Sequence, residues 1–256
     1  MKTFIRRIGE LSIAFILHDR DVRIELVNTL VNIIKNIVNH IKLKNSDYLE
    51  IHLYSDKSSV ESFMSLEEKR IGVIVSADFP IMYEAWTGIP RIHLSLREWV
   101  SLDRKDREAL FAHELIHSIL HSSLEYYLVE IDEDDEKTII AAYIAALVLK
   151  DLEVHKLMSN SGLGEYLDNL DRYWRTVLSR KCPSSLEEFI DYLKALTVWV
   201  VKREVTSILN TPNCGYMVEL IKELDSIKNS SRRPWLYIKE FQNKIRKVIS
   251  ELHLSR

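Results

Sequence analysis

The chain has 256 residues, of which 46% are hydrophobic and 29% are charged, and this globular composition excludes a disordered or collagen-like protein. Its formal net charge of -3 excludes the strongly basic character of many nucleic-acid-binding proteins, so no nucleic-acid partner is expected. The longest apolar run, Thr138 to Leu149, is shorter than the roughly 20 residues that cross a bilayer, so no membrane partner is expected either.

The N-terminus and the cysteines both favour a cytoplasmic protein. A short apolar stretch, Leu11 to Leu17, is followed by charged residues and by no small-residue cleavage site, which indicates a folded element instead of a signal peptide. The two cysteines, Cys182 and Cys214, are too few for a disulfide framework or a four-cysteine zinc site. We interpret them as reduced thiols.

The first hundred residues combine two periodicities. Hydrophobic residues recur at helical spacing between Asp21 and Lys44, which predicts a helix. Short alternating or β-branched runs, bounded by turn-forming residues, predict three strands. These runs are Leu49 to Tyr54, Ile71 to Ser76 and Arg91 to Leu96.

From Ser101 onward the pattern predicts helices alone. Their expected ranges are Asp103 to Ser122, Asp135 to Ser159, Gly164 to Arg180, Ser185 to Asn210, Tyr216 to Asn229 and Pro234 to His253. This order of elements predicts an α+β fold, in which an N-terminal α/β part with a small sheet precedes a predominantly helical C-terminal region.

Residues 113 to 117 carry the pattern H-E-x-x-H. Residues four apart on a helix are separated by roughly 6 Å along the axis and about 40° around it, so the imidazoles of His113 and His117 can converge on one zinc ion. Glu114 borders the same face and can take a proton from a water molecule beside the ion. The pattern therefore predicts His113 and His117 as metal ligands and Glu114 as the general base.

A catalytic zinc ion usually has three protein ligands and one open position. His121 continues the four-residue series, but it lies roughly 12 Å along the axis from His113, so we interpret it as a structural or ligand-supporting group. A stripe of small residues on the following helix ends at Glu153, which makes Glu153 the preferred third ligand. Asp151 and His155 on the same helix are alternatives.

These residues resemble the zincin metallopeptidases, and within them the gluzincins, which include the small archaeal minigluzincins. The resemblance covers roughly Arg91 to Met158, with a strand, the H-E-x-x-H helix and a second helix that bears acidic residues. The chain departs from the family in lacking a clean N-E-x-x-x-D string. The resemblance implies that His113, His117 and Glu153 bind Zn²⁺, that Glu114 is the general base, and that a sheet edge holds an extended peptide by main-chain pairing.

The predicted function is zinc-dependent hydrolysis of peptide bonds in a peptide or protein substrate. We expect a zincin-like domain over residues 1–160 and a helical region over 161–256, whose helices could restrict the substrate or form a homodimer. The donor to the oxyanion stays open among four residues, Tyr126, Tyr127, Tyr143 and His155. The alternative hypothesis is a catalytically silent or latent zincin-fold protein that acts as a binding scaffold with a structural metal.

Overall fold

The computed structural model describes residues 2–19, 24–41, 47–71, 80–127, 129, 135–178, 182–203 and 215–251. The chain divides into two compact units, Met1–Leu124 and Glu125–Arg256. In the described ranges, all strands of the sheet belong to the first unit and the second unit is helical. The predicted α+β class is confirmed.

The first unit combines a five-stranded mixed sheet with helices. Its elements are β1 (Lys2–Ile8), β2 (Leu11–Leu17), α1 (Ile24–His40), β3 (Tyr48–Tyr54), α2 (Lys57–Ile71), β4 (Ile81–Glu84), β5 (Arg91–Ser95), α3 (Leu96–Ser101) and α4 (Arg104–Leu120). The strand order is β1-β2-β3-β5-β4. The central strands β2, β3 and β5 are parallel, whereas β1 and β4 lie antiparallel at the two edges.

The two faces of this sheet carry different residues because successive side chains of a strand point to opposite sides. One face is apolar and packs against α4, where Tyr83 of β4 stacks on His117. The other face is polar in β3 and β5, and Phe63 of α2 contacts His52 and His93 there. The sheet therefore separates the H-E-x-x-H helix from a second group of histidines.

Several elements of the first unit were not predicted. The β1–β2 hairpin turns at Gly9, whose φ of 61° favours glycine, but β1 is mostly exposed and shows no hydrophobic alternation. Helix α2 is rich in serine and charged residues, and β4 has only four residues. The strand predicted over Ile71 to Ser76 lies outside the described residues apart from Ile71, which ends α2.

The second unit is built around one long helix. Its α-helices are α5 (Glu136–Asn160), α6 (Gly164–Val177), α7 (Leu186–Lys202), α8 (Gly215–Asn229) and α9 (Ile238–Glu251), and 3-10 turns cover Leu124–Tyr127 and Pro234–Tyr237. Helix α5 is buried over most of its length and packs against α6, α7, α8 and α9. The division after Leu124 consequently falls earlier than the predicted boundary after residue 160, because α5 packs with the helices that follow it.

Cys182 takes part in a disulfide bond. The other cysteine of the sequence, Cys214, lies outside the described residues. The prediction of two reduced thiols is therefore wrong for Cys182, and two cysteines without a motif spacing give no sequence signal for a bond. Disulfides persist mainly in oxidising compartments or in intracellular proteins of hyperthermophiles, so the cytoplasmic prediction loses the support of reduced thiols.

Among the described residues, no helix combines the length and the hydrophobicity that crossing a bilayer requires.

Candidate metal centre

Helix α4 is held in place by a capped N-terminus and a buried apolar side. The side chain of Asp103 accepts a hydrogen bond from the Lys105 amide at 2.9 Å, which satisfies one of the first N–H groups of the helix. Leu115 is fully buried, together with most hydrophobic residues around it. His113 and Glu114 retain 12% and 16% side-chain exposure, so the motif can be reached from solvent.

The two predicted histidine ligands converge. The Nε2 atoms of His113 and His117 lie 3.0 Å apart, and the rings meet edge to face at 77°. Two imidazole nitrogens that bind one zinc ion at about 2.05 Å and at the tetrahedral angle are about 3.3 Å apart. Both nitrogens can therefore reach one cation after a small adjustment, and imidazole nitrogens are common zinc ligands.

Glu114 lies beside the histidine pair and does not occupy the position between the two ring nitrogens. Its Oε1 is 3.8 Å from Nε2 of His113, which is too long for a hydrogen bond. A carboxylate at this distance can contact a water molecule next to a cation without itself being a ligand. The structure thus brings together three of the four predicted site residues on one helix.

His117 is supported from two sides. Its Nδ1 lies 2.9 Å from Nδ1 of His121, which is fully buried. The Tyr83 ring stacks on the His117 ring at an interplanar angle of 13°, and the Tyr83 hydroxyl donates to the His121 carbonyl at 2.9 Å. Tyr83 was missed in the sequence because β4 is too short to show a strand pattern, whereas His121 was recognised from its spacing.

The predicted third ligand, Glu153, lies on α5 in the second unit and is buried. Its Oε2 accepts from the Arg233 guanidinium at 2.9 Å and its Oε1 from the Trp235 amide at 3.0 Å. Burial raises the pKa of Glu153 to about 7, although the Trp235 amide and Lys156 act in the opposite direction. A carboxylate has about four acceptor positions, so these bonds are compatible with a further contact.

The alternative ligands on α5 are buried as well. Asp151 is 7% exposed and His155 is 1% exposed. Nδ1 of His155 lies 2.9 Å from the Thr197 hydroxyl. The choice among Glu153, Asp151 and His155 stays a prediction.

The candidate oxyanion donors of the second unit have varied surroundings. The Tyr126 hydroxyl accepts a hydrogen bond from Arg233, and the Lys150 ammonium lies 4.5 Å from the centre of the Tyr127 ring. Tyr143 is 44% exposed. No single donor is selected by these contacts.

A polar network on the opposite face of the sheet was not predicted as a site. His52 and His93 face each other across β3 and β5, with ring centroids 4.9 Å apart. Arg91 contacts both Glu50 and Glu84, at 3.2 and 3.4 Å. The alternation of Glu50, His52 and Tyr54 in β3 is the sequence signal that would have placed these residues on one face.

The hydrogen bonds of this network have a defined direction. Burial would raise the pKa of Glu50, but hydrogen bonds from His52 and Tyr48 keep it below its ordinary value. The ionised Glu50 accepts from Nε2–H of His52 at 3.1 Å, so Nδ1 of the neutral His52 accepts from Nε2–H of His18 at 2.9 Å. Burial and the neighbouring His93 lower the pKa of His52 to about 3.

No protein-family model, no curated protein and no solved structure matches this chain. The resemblance to gluzincins therefore stays a prediction from the H-E-x-x-H motif.

Proposed function

We propose that the protein is a zinc-dependent metallopeptidase that hydrolyses peptide bonds in a peptide or protein substrate. The observation that supports this function most strongly is the convergence of His113 and His117, whose Nε2 atoms lie 3.0 Å apart on one helix. Glu114 adjoins them with partial exposure to solvent. This arrangement of two imidazoles and a carboxylate is more typical of metal-assisted hydrolysis than of a helix with a purely structural role.

Each residue of the proposed site has a separate role in the reaction. His113 and His117 would hold the ion, and Glu153 is the predicted third ligand, with Asp151 and His155 as alternatives. Zinc bound there would polarise the scissile carbonyl and lower the pKa of a neighbouring water molecule toward about 7. Glu114 takes a proton from the attacking water and then returns it to the leaving amine.

Strand β4 is a suitable binding element for an extended substrate. It forms one edge of the described sheet and pairs antiparallel with β5 on its inner side. An extended peptide can add to such an edge by main-chain hydrogen bonds. Because Tyr83 of β4 stacks on His117, this edge runs next to the proposed ligands.

Glu114→Gln is the variant that tests the proposed catalytic role. The amide keeps the shape of the carboxylate but cannot act as a base, so zinc binding is retained and peptide cleavage falls by about 10²- to 10⁴-fold. Glu108→Gln is a matched control on the same helix, where the carboxylate pairs with Arg104 at 2.7 Å, and it should cleave like the wild type. Wild-type cleavage by the Glu114 variant would contradict the proposed role of Glu114.

A wild-type protein that binds zinc but cleaves no peptide in a broad substrate library would instead support the scaffold alternative.

A further inference from the structure

Resting on the proposed zinc site, we propose that His121 is a positioning residue that selects the metal-binding tautomer of His117. Each ring nitrogen of His117 has a histidine neighbour. Its Nε2 is directed at His113, 3.0 Å away, and its Nδ1 is directed at Nδ1 of His121, 2.9 Å away.

The positions of the protons follow from these two contacts. A metal ion binds an imidazole nitrogen through its lone pair, so a His117 ring that binds through Nε2 carries its proton on Nδ1. This proton can be donated to His121 only if Nδ1 of His121 offers a lone pair. His121 is therefore neutral and carries its own proton on Nε2.

The backbone at the end of α4 holds His121 in this role. His121 is the C-terminal cap of the helix, with φ -119° and ψ 31°, and its amide donates to the His117 carbonyl at 2.8 Å. The Tyr83 hydroxyl donates to the His121 carbonyl, while the Tyr83 ring stacks on His117. Since His121 is fully buried, neither ring can turn without disturbing these contacts.

His121 differs chemically from the group that usually accepts a hydrogen bond from a metal-binding histidine. Metal-binding histidines commonly donate to a carboxylate or a backbone carbonyl, and loss of that partner lowers metal affinity by about 10- to 100-fold. A neutral imidazole accepts the same hydrogen bond but adds no negative charge. A cation bound at this site would consequently keep more of its positive charge, which would favour a low pKa for a water molecule beside it.

Three substitutions at His121 distinguish a role in positioning the His117 ring from a role in packing. In His121→Asn, the side-chain oxygen occupies roughly the place of Nδ1 and can accept the hydrogen bond from His117. In His121→Gln, the amide extends one bond further and falls near the place of Nε2. His121→Leu fills similar space without an acceptor.

Zinc affinity of the full chain is measured by competition with a chromogenic chelator, and thermal unfolding of the metal-free protein reports folding. We expect the Leu and Gln variants to bind zinc about 10- to 100-fold more weakly and the Asn variant to stay within about threefold of the wild type. Tyr83→Phe, which keeps the stacked ring, is the control for the carbonyl contact. A folded Leu variant with wild-type affinity would overturn the proposal and leave the zinc site intact.

Nitrogen NMR of the histidine rings gives a readout that does not depend on the variants. The zinc-loaded wild type should carry a proton on Nδ1 of His117 and on Nε2 of His121. A proton on Nδ1 of His121 would overturn the inference even if the Leu variant does not fold. A wild type that binds no zinc at all would overturn the inference together with the proposed function.

Discussion

At the scale of single residues, the third ligand is the most consequential prediction. Glu153→Gln should lower zinc affinity by at least about tenfold, because an amide oxygen is a weaker ligand than a carboxylate. Asp151→Asn and His155→Gln are the matched substitutions for the two alternatives, and both should bind zinc nearly as well as the wild type. The measurement is chelator competition at fixed pH.

Glu153 also accepts hydrogen bonds from Arg233 and from the Trp235 amide. The Glu153 variant could therefore lose zinc affinity because these bonds change, and a control is needed for that effect. Arg233→Gln removes the guanidinium and leaves the carboxylate unchanged, and it serves as the control. If Asp151→Asn loses zinc while Glu153→Gln retains it, the third ligand is Asp151 and the likeness to gluzincins is weakened.

His52 makes a pH-dependent contribution to the stability of the fold. Its pKa is about 3 in the folded chain because it is buried, and it is about 6.5 in an unfolded chain. Between these values the unfolded state binds more protons, so the free energy of unfolding falls as the pH falls, by up to about 1.4 kcal/mol per pH unit from this group. Above pH 6.5 its stabilising effect is complete.

Urea unfolding at pH 7 and pH 5 measures this effect. His52→Gln should reduce the difference in unfolding free energy between the two pH values, whereas His40→Gln, at an exposed position, should leave it unchanged. Equal pH dependence in the wild type and the His52 variant would show that His52 does not titrate as described.

Among the helices and strands, the confirmed predictions rest on sequence patterns within the element itself, such as helix caps and hydrophobic periodicity. Helices α4 and α5 begin within one residue of their predicted starts, because Asp103 and Asp135 are typical caps that precede long apolar periodicities. The His113–His117 pair was predictable for the same reason, since a spacing of four residues on a helix fixes its geometry without tertiary contacts.

The elements that were missed depend on tertiary contacts. Strand β4 is recognisable only from its pairing with β5, and α2 is polar in sequence but buries Val60 and Met64 beside Tyr54. The role of Tyr83 follows from β4, so it could not be seen before the sheet was known. The third ligand also depends on tertiary contacts, because it is remote in sequence from the motif. The sequence therefore could not decide which of three residues of α5 is the ligand.

The disulfide next to α7 gives a prediction at this scale. Cys182 precedes the Ser185 cap of α7 by three residues, and Cys214 is the one other cysteine of the sequence. Denatured, unreduced protein should therefore show no reactive thiol and should run as a monomer on a non-reducing gel. Two reactive thiols per chain would contradict the disulfide, and a dimer that reduction dissociates would show that the bond joins two chains.

In the whole molecule, the two units contain different kinds of elements. The first unit provides the sheet, its edge strand β4 and the H-E-x-x-H helix. The second unit provides α5 with its buried acidic residues.

The zinc content of the purified full chain shows whether His113 and His117 bind a metal ion. After equilibration with zinc and removal of the excess, elemental analysis should find one zinc ion per wild-type chain and almost none in His113→Ala or His117→Ala. His40→Ala, which changes an exposed histidine outside the motif, should retain the ion. A wild type without zinc, or motif variants that keep it, would contradict zinc binding by His113 and His117.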